Sequence, residues 1–240
     1  MISKIIHYCW FGRGDMPELV QKCIASWHTR MPDWEYRLWT EDNFDIASAP
    51  AYVQEAYAAK KYAFVSDYVR LWALERDGGL YMDVDFEVYK PFDDLMDQYN
   101  AFAGYEGSKK NPVMMGVLAA QAHHPWIQGM IQTYEHRHFL LSDGSLDMTP
   151  NTGYFLNWMQ ERGFVADGKE KDFMGAHIFP VEYFCPGLTT GENLRCDRTY
   201  CEHKGLHSWS NDEGWKNYVL ALLPPKWKIN VIKLKRALFK

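Results

Sequence analysis

At 240 residues, 47% hydrophobic and 24% charged, the chain has ordinary globular composition and suits one domain with a sizeable core. A net charge of −5 gives it no overall attraction to nucleic acid. Five cysteines, at 9, 23, 185, 196 and 201, form no regular framework, which argues against a secreted disulfide scaffold and fits a reducing cytoplasm. The opening MISKIIHYCWFGRGD is apolar for too short a stretch to be a signal peptide, and no window reaches the apolar length needed to span a bilayer.

Ile5 to Phe11 reads as a buried first strand and Gly12 to Asp15 as the turn after it. Pro17 opens a helix in which Leu19, Val20, Cys23, Ile24 and Trp27 recur at helical spacing, and Trp34 to Trp39 alternates as a second strand. This βαβ opening predicts a parallel sheet, whose ligands bind outside the carboxyl ends of the strands, where Trp10, Phe11 and Gly12 fall. No Gly-x-Gly-x-x-Gly or Walker loop follows either strand, so any phosphate must be held by metal and side chains. Ala51 to Lys60 predicts a helix leading into a second, Ala63 to Arg76, which carries Asp67 and Arg70 on one face and is closed by Gly78-Gly79. The period then changes to two. Leu80, Met82, Val84, Phe86 and Val88 are apolar, with Tyr81, Asp83, Asp85 and Glu87 between them, which predicts one strand with a core face and a polar face. Asn100 to Tyr105 and Val113 to Leu118 predict short strands around a loop rich in Gly, Ser and Lys. Pro125 to His138 predicts a helix, 142–152 a polar loop, Tyr154 to Arg162 a further helix, and 186–200 a loop.

Asp83 and Asp85 carry the most chemistry. Two carboxylates held close together repel unless a cation or a shared proton compensates, and a hard divalent ion with oxygen ligands is the economical solution. Mg²⁺ and Mn²⁺ complete their shells with water and phosphate oxygens, so one or two protein carboxylates suffice. By itself Asp-x-Asp is common and usually marks a solvated strand edge or turn. Other chemistries lack their sequence context. There is no Gly-x-Ser-x-Gly elbow, and the aspartates are too close in sequence for a paired-carboxylate glycosidase. Cys196, Cys201, His203 and His207 crowd within twelve residues, without the long spacer of a zinc module. His7, His123, His124 and His177 read as surface or satisfied core residues.

The Asp67/Arg70 helix, the Gly-Gly break and Asp83-Val84-Asp85 together resemble the DXD glycosyltransferases grouped as family 32. That group includes capsular-polysaccharide sugar transferases and fungal initiating mannosyltransferases, with a core similar to the glucosylating domain of clostridial toxins. KIIHYCWFG at the start and HKGLHSW later extend the resemblance, which is specific over 1–95 and 199–210.

The resemblance implies an α/β fold of GT-A type over 1–222, with a Rossmann-like central mixed sheet flanked by helices. The implied activity is metal-dependent transfer, with retention, of a sugar from a nucleoside diphosphate to a glycan or lipid-linked oligosaccharide; UDP is favoured over GDP. By the same likeness Trp10 stacks on the base, while Asp67, Arg70 and Tyr81 contact the donor. Asp85 ligates Mn²⁺ or Mg²⁺, Asp83 meets the ribose and metal shell, His203 and Ser208 contact metal or diphosphate, and Trp209 belongs to a lid over the donor. The family's Thr-Gly-Pro is here Thr152-Gly153-Tyr154, and no role is assigned to it.

A Golgi enzyme would need an anchor, so the chain fits the bacterial, capsule-building branch and a cytoplasmic site. The basic, amphipathic segment 223–240, with six Lys or Arg and no acid, suits the inner face of an anionic membrane, though a docked terminal helix or solubilising tail explains it equally. The competing functions are a nucleotide-sugar phosphohydrolase and a non-catalytic carbohydrate-binding protein.

Overall fold

A computed structural model describes residues 1–107, 112–187 and 194–205. The predicted opening forms: β1 (Ile5–Cys9), α1 (Glu18–Arg30) and β2 (Glu35–Trp39), with β1 and β2 parallel. Then come α2 (Ala51–Ala58), α3 (Tyr62–Asp77), β3 (Gly79–Met82), β4 (Phe86–Val88) and α4 (Asp93–Gln98). They are followed by β5 (Ala101–Tyr105), β6 (Val113–Ala120), α5 (Pro125–Gln132), α6 (Asn151–Gln160), β7 (Lys171–Phe173), β8 (Ala176–Phe179) and β9 (Cys201–His203). Seven strands make one mixed sheet in the order β2-β1-β3-β6-β5-β8-β7, and β4 pairs with β9 in a separate ribbon. A central mixed sheet flanked by helices is the α/β architecture expected. No helix among the described residues is long and apolar enough to cross a membrane.

Each face of the sheet buries its own core. Residues of α2, α3, α5 and α6 pack over one face with Tyr81, Met115 and Leu118, while Trp27 of α1, Leu95 and Met96 of α4 and the β4–β9 ribbon cover the other with Leu80, Met82 and Val117. Along β6 the facing reverses at Gly116, and the pairing of β5 with β6 changes register between Ala103 and Tyr105. The irregularity lies beside the aspartates.

Three expectations are corrected. The strand expected over 80–88 is broken: β3 ends at Met82, the chain turns with Phe86 N donating to Asp83 O (3.2 Å), and β4 pairs in the other sheet. Alternation continued across the turn because both strands bury apolar residues, though against different partners. The helix expected to reach His138 stops at Gln132. The Thr133 hydroxyl donates to Met130 O, and Glu55 accepts from the backbone N–H groups of Phe139 and Leu140, drawing the chain off the helical path. The last helix begins at Asn151 rather than Tyr154, taking in two residues of the expected loop.

His7 on β1 is fully buried and satisfied, as its sequence context suggested. The Gly78 carbonyl can only accept and the Trp39 indole N–H can only donate, so His7 is neutral, with Nε2–H directed to Gly78 O (2.9 Å) and Nδ1 receiving Trp39 Nε1–H (3.1 Å). Burial lowers its pKa to about 4. A depressed histidine contributes stability that is complete above the unfolded value of 6.5 and is lost as pH falls through 4. Acidification across that window should cost about 3 kcal/mol through His7 alone. Urea midpoints at pH 7 and pH 4 should show that dependence in the wild type and a smaller one in His7→Gln. An equal slope in both proteins would place the titration elsewhere.

Candidate active site

Asp67 and Arg70 share the inward face of α3 and are both buried. Arg70 Nη2 donates to Asp67 Oδ1 (2.8 Å) and lies 3.4 Å from Asp83 Oδ1, Nε donates to Ser66 O (3.2 Å), and Nη1 donates to the Met115 carbonyl of β6. The guanidinium also stands over the Tyr81 ring, 4.7 Å from its centroid. Arg70 is thus only 5% exposed and directs these donors into protein, which makes it the support of two carboxylates. Burial opposes its charge, but Asp83, Tyr81 and Asp67 outweigh that and raise its pKa. Burial likewise raises Asp67, to about 6 against the opposing pull of Arg70.

The turn after β3 presents the aspartates. Asp83 N donates to Gly116 O (2.8 Å), continuing the β3–β6 ladder one residue past the strand. The Tyr81 hydroxyl, expected to reach a donor molecule, here donates to Asp83 Oδ1 (2.7 Å). A methyl group on Gly116 would lie 2.7 Å from Asp83 Oδ2 and 2.8 Å from the Phe86 ring, so the glycine makes room for the carboxylate. Burial raises the Asp83 pKa. Asp85 is buried at the start of β4, where the β4–β9 register sets His203 opposite Phe86 and stacks the imidazole on its ring (4.7 Å between centroids). His203 Nε2 reaches Asp85 Oδ2 at 2.9 Å. Burial works against the imidazolium, yet Asp85 more than compensates and raises its pKa.

The sequence had grouped Asp67, Arg70, Tyr81, Asp83, Asp85 and His203, and the fold brings them together. Trp10 follows β1, with its N–H on Trp39 O (2.9 Å) and its indole Nε1–H on Gly14 O (2.6 Å), a half-buried ring at the carboxyl edge of the sheet. Ser208, Trp209, His207 and 223–240 lie outside the described residues. The zinc alternative finds no support from the cysteines: Cys201 is buried with Sγ directed to Phe184 O, while Cys196 is exposed.

Asn151 was missed. At the start of α6, 84 residues from Asp67, its Nδ2 donates to Asp67 Oδ1 (2.7 Å) from a buried position. It stands immediately before the Thr152-Gly153 pair, and that adjacency is the signal that could have found it. Two side-chain donors therefore converge on one oxygen of Asp67. Among the described residues no three His, Cys, Asp or Glu side chains converge as a preformed metal cage. The donor types of Asp83, Asp85 and His203 nevertheless suit a divalent ion that keeps water or phosphate ligands.

Residues 17–102 match a family described as the glycosyltransferase sugar-binding region containing the DXD motif, and they hold α3 and both aspartates. Inositol phosphoceramide mannosyltransferase 2 of Schizosaccharomyces pombe is 29% identical over 140 residues, covering 56% of this chain and 39% of that protein. Inositol phosphoceramide mannosyltransferase 3 of the same yeast is 33% identical over 101 residues, covering 40% and 27%. The chain thus spans well under half the length of these curated relatives. Among solved structures, galactosyltransferase LgtC in complex with donor and acceptor sugar analogs aligns over 93% of this chain and 99% of its own, at 13% identity and a TM-score of 0.45. PaToxG glycosyltransferase aligns over 55% and 59%, at 19% identity and the same TM-score.

Asp67 gives a signed prediction. Its folded pKa, about 6, lies above the ordinary 3.8, so its contribution to stability is present at low pH and lost as pH rises through 6. Asp67→Asn removes that titration. The stability of Asp67→Asn relative to wild type, from urea midpoints, should be about 3 kcal/mol more favourable at pH 7.5 than at pH 4. A difference that does not change with pH would place the Asp67 carboxyl in an ordinary environment.

Proposed function

We propose that this chain, whose residues 17–102 carry the DXD sugar-binding region, is a metal-dependent glycosyltransferase of GT-A type that moves a sugar from a nucleoside diphosphate to a glycan or lipid-linked acceptor. One observation carries the proposal: Arg70, paired with Asp67 at 2.8 Å, also lies 3.4 Å from Asp83, which ties the Asp67–Arg70 pair to the turn that carries Asp83 and the Asp85–His203 pair. A phosphohydrolase would need the first group alone. The second has the polarity to grip sugar hydroxyls, which favours transfer over simple release.

Asp85, Asp83 and His203 would hold Mn²⁺ or Mg²⁺, which when bound supplies positive charge against the departing diphosphate. Asp67, with one oxygen held by Arg70 and Asn151, would accept hydroxyl protons of the donor sugar in hydrogen bonds and fix its orientation. Arg70 would act through Asp67 and Asp83. Trp10 would cover the base. Retention follows the resemblance, as does uridine as the base, and no residue is assigned as a nucleophile; the mannosyltransferase relatives leave the sugar open.

Asp85→Asn should preserve the fold and lower transfer at least a hundredfold, since one charged ligand is lost where few exist. It should also abolish the extra thermal stabilisation that nucleoside diphosphate gives with Mn²⁺ over nucleoside diphosphate alone. The check is mass-detected transfer from a panel of UDP- and GDP-sugars alongside thermal shift. Near wild-type transfer with unchanged metal dependence would remove the DXD role.

The same reading extends to capsule or cell-envelope assembly at the inner face of the cytoplasmic membrane, with the basic segment 223–240 drawing the enzyme to an anionic surface. The full chain should co-sediment with anionic vesicles at low salt better than a version ending at Pro225, and neutral vesicles should capture neither. Equal sedimentation of both versions on anionic vesicles would take the segment out of the mechanism.

A further inference from the structure

The carboxyl ends of β1 and β2 lie side by side; Gly12 stands three residues beyond the first, after Trp10 and Phe11, and Glu41 two residues beyond the second. Glu41 Oε1 accepts the Gly12 N–H (2.6 Å) and the Tyr57 hydroxyl (3.3 Å). Among the described residues Oε2 takes part in no hydrogen bond or ion pair. Gly12 has φ 96, and a methyl group on it would lie 2.4 Å from the Tyr62 ring, so only glycine permits this approach. The result is a half-buried carboxylate anchored by one oxygen with the other open, beside the strand end that carries Trp10. Sequence spacing gave it no role.

We infer that Glu41 reads the hydrogen-bonding edge of the nucleotide base and selects guanine, so that the donor is a GDP-sugar. The inference rests on the proposed donor site, with the base on Trp10. An ionised carboxylate accepts and cannot donate. Guanine offers two adjacent donors, N1–H and the N2 amino group, which the two lone pairs of the open Oε2 can receive together. Uracil offers one N–H between two carbonyl oxygens, so a carboxylate that meets N3–H also faces at least one oxygen of like polarity. Adenine and cytosine place a ring acceptor beside the amino group, with the same conflict. A site built around acceptors discriminates strongly against a base that cannot satisfy them, because its polar groups are left unpaired out of water. This reverses the uridine preference implied by resemblance: the residues that hold diphosphate and sugar do not touch the base, and Glu41 stands where they do not reach.

The test is isothermal titration of GDP, UDP and CDP into the full chain with Mn²⁺, for wild type and Glu41→Gln. Wild type should bind GDP roughly tenfold tighter than UDP, the low end of what a bidentate contact to a base supplies, because both guanine donors share one oxygen. Glu41→Gln keeps a carbonyl that can accept the Gly12 N–H, so its thermal midpoint should stay near wild type while most of the GDP preference is lost. Equal or tighter binding of UDP by wild type overturns the inference, and so does a GDP preference that survives Glu41→Gln in a folded variant. Should that variant not fold, the wild-type ratio decides alone. Failure of all three nucleotides to bind overturns the donor site itself, a result distinct from UDP winning.

Discussion

The site is organised around one buried cation. Arg70 has no water to solvate it, so its charge is tolerable only because Asp67 and Asp83 flank it, the Met115 and Ser66 carbonyls accept from it and the Tyr81 ring lies beneath it. Removing one partner from such a buried set typically costs about 3–5 kcal/mol, so each member constrains the others. The consequence is geometric. Asp67 comes from a helix, Asp83 from a turn after β3 and Met115 from β6; one guanidinium fixes all three with donors that diverge in a rigid plane. A lysine, with a single nitrogen, could not span them.

Around that cation the break after Met82 is what lets two sheets contribute. A continuous strand would have carried Asp85 onward in the central sheet, away from β9. Because the chain turns, Asp85 enters the ribbon, where pairing with Cys201–His203 delivers an imidazole from far along the chain to within 2.9 Å of its carboxylate. Lys204 N donates to Asp85 O (2.8 Å), extending the ribbon one step beyond the strands and holding the turn from its other side. The Trp27 indole donates to Phe86 O (2.7 Å), so α1 also pins the ribbon against the core. Local backbone pairing, more than side-chain attraction, sets the distance between the two groups.

The parts of this arrangement that were legible in sequence were those with a local period. α3 announced itself by apolar spacing and by Gly78-Gly79, and β1, α1 and β2 by the change of period from two to helical and back. What failed did so for physical reasons. Tyr81 was read as polar because of its hydroxyl, yet its ring is buried and only its oxygen reaches Asp83. The β7–β8 hairpin turns on Met174-Gly175, both at positive φ, and methionine is not a residue whose presence signals such a turn. Asn151 and Glu41 act through contacts across 84 and 29 residues respectively, and a single polar residue in a polar stretch carries no period to betray it.

The mixed character of the sheet then acquires a reason. Parallel β1, β3 and β5 bring their carboxyl ends to one edge, where the loops carrying Trp10 and Asp83 begin. A fully parallel sheet would offer the amide and carbonyl groups of its next strand in the same sense. Antiparallel β6 enters the sheet at that edge, so its first residues, with the facing change at Gly116, lie among the loops. Met115 O is thereby turned to Arg70 and Gly116 O to the Asp83 N–H, while the missing side chain of Gly116 leaves the space that Asp83 Oδ2 fills. One reversed strand gives the buried cation an acceptor, Asp83 an anchor and its carboxylate a place, which no loop at the sheet edge could supply with the same rigidity.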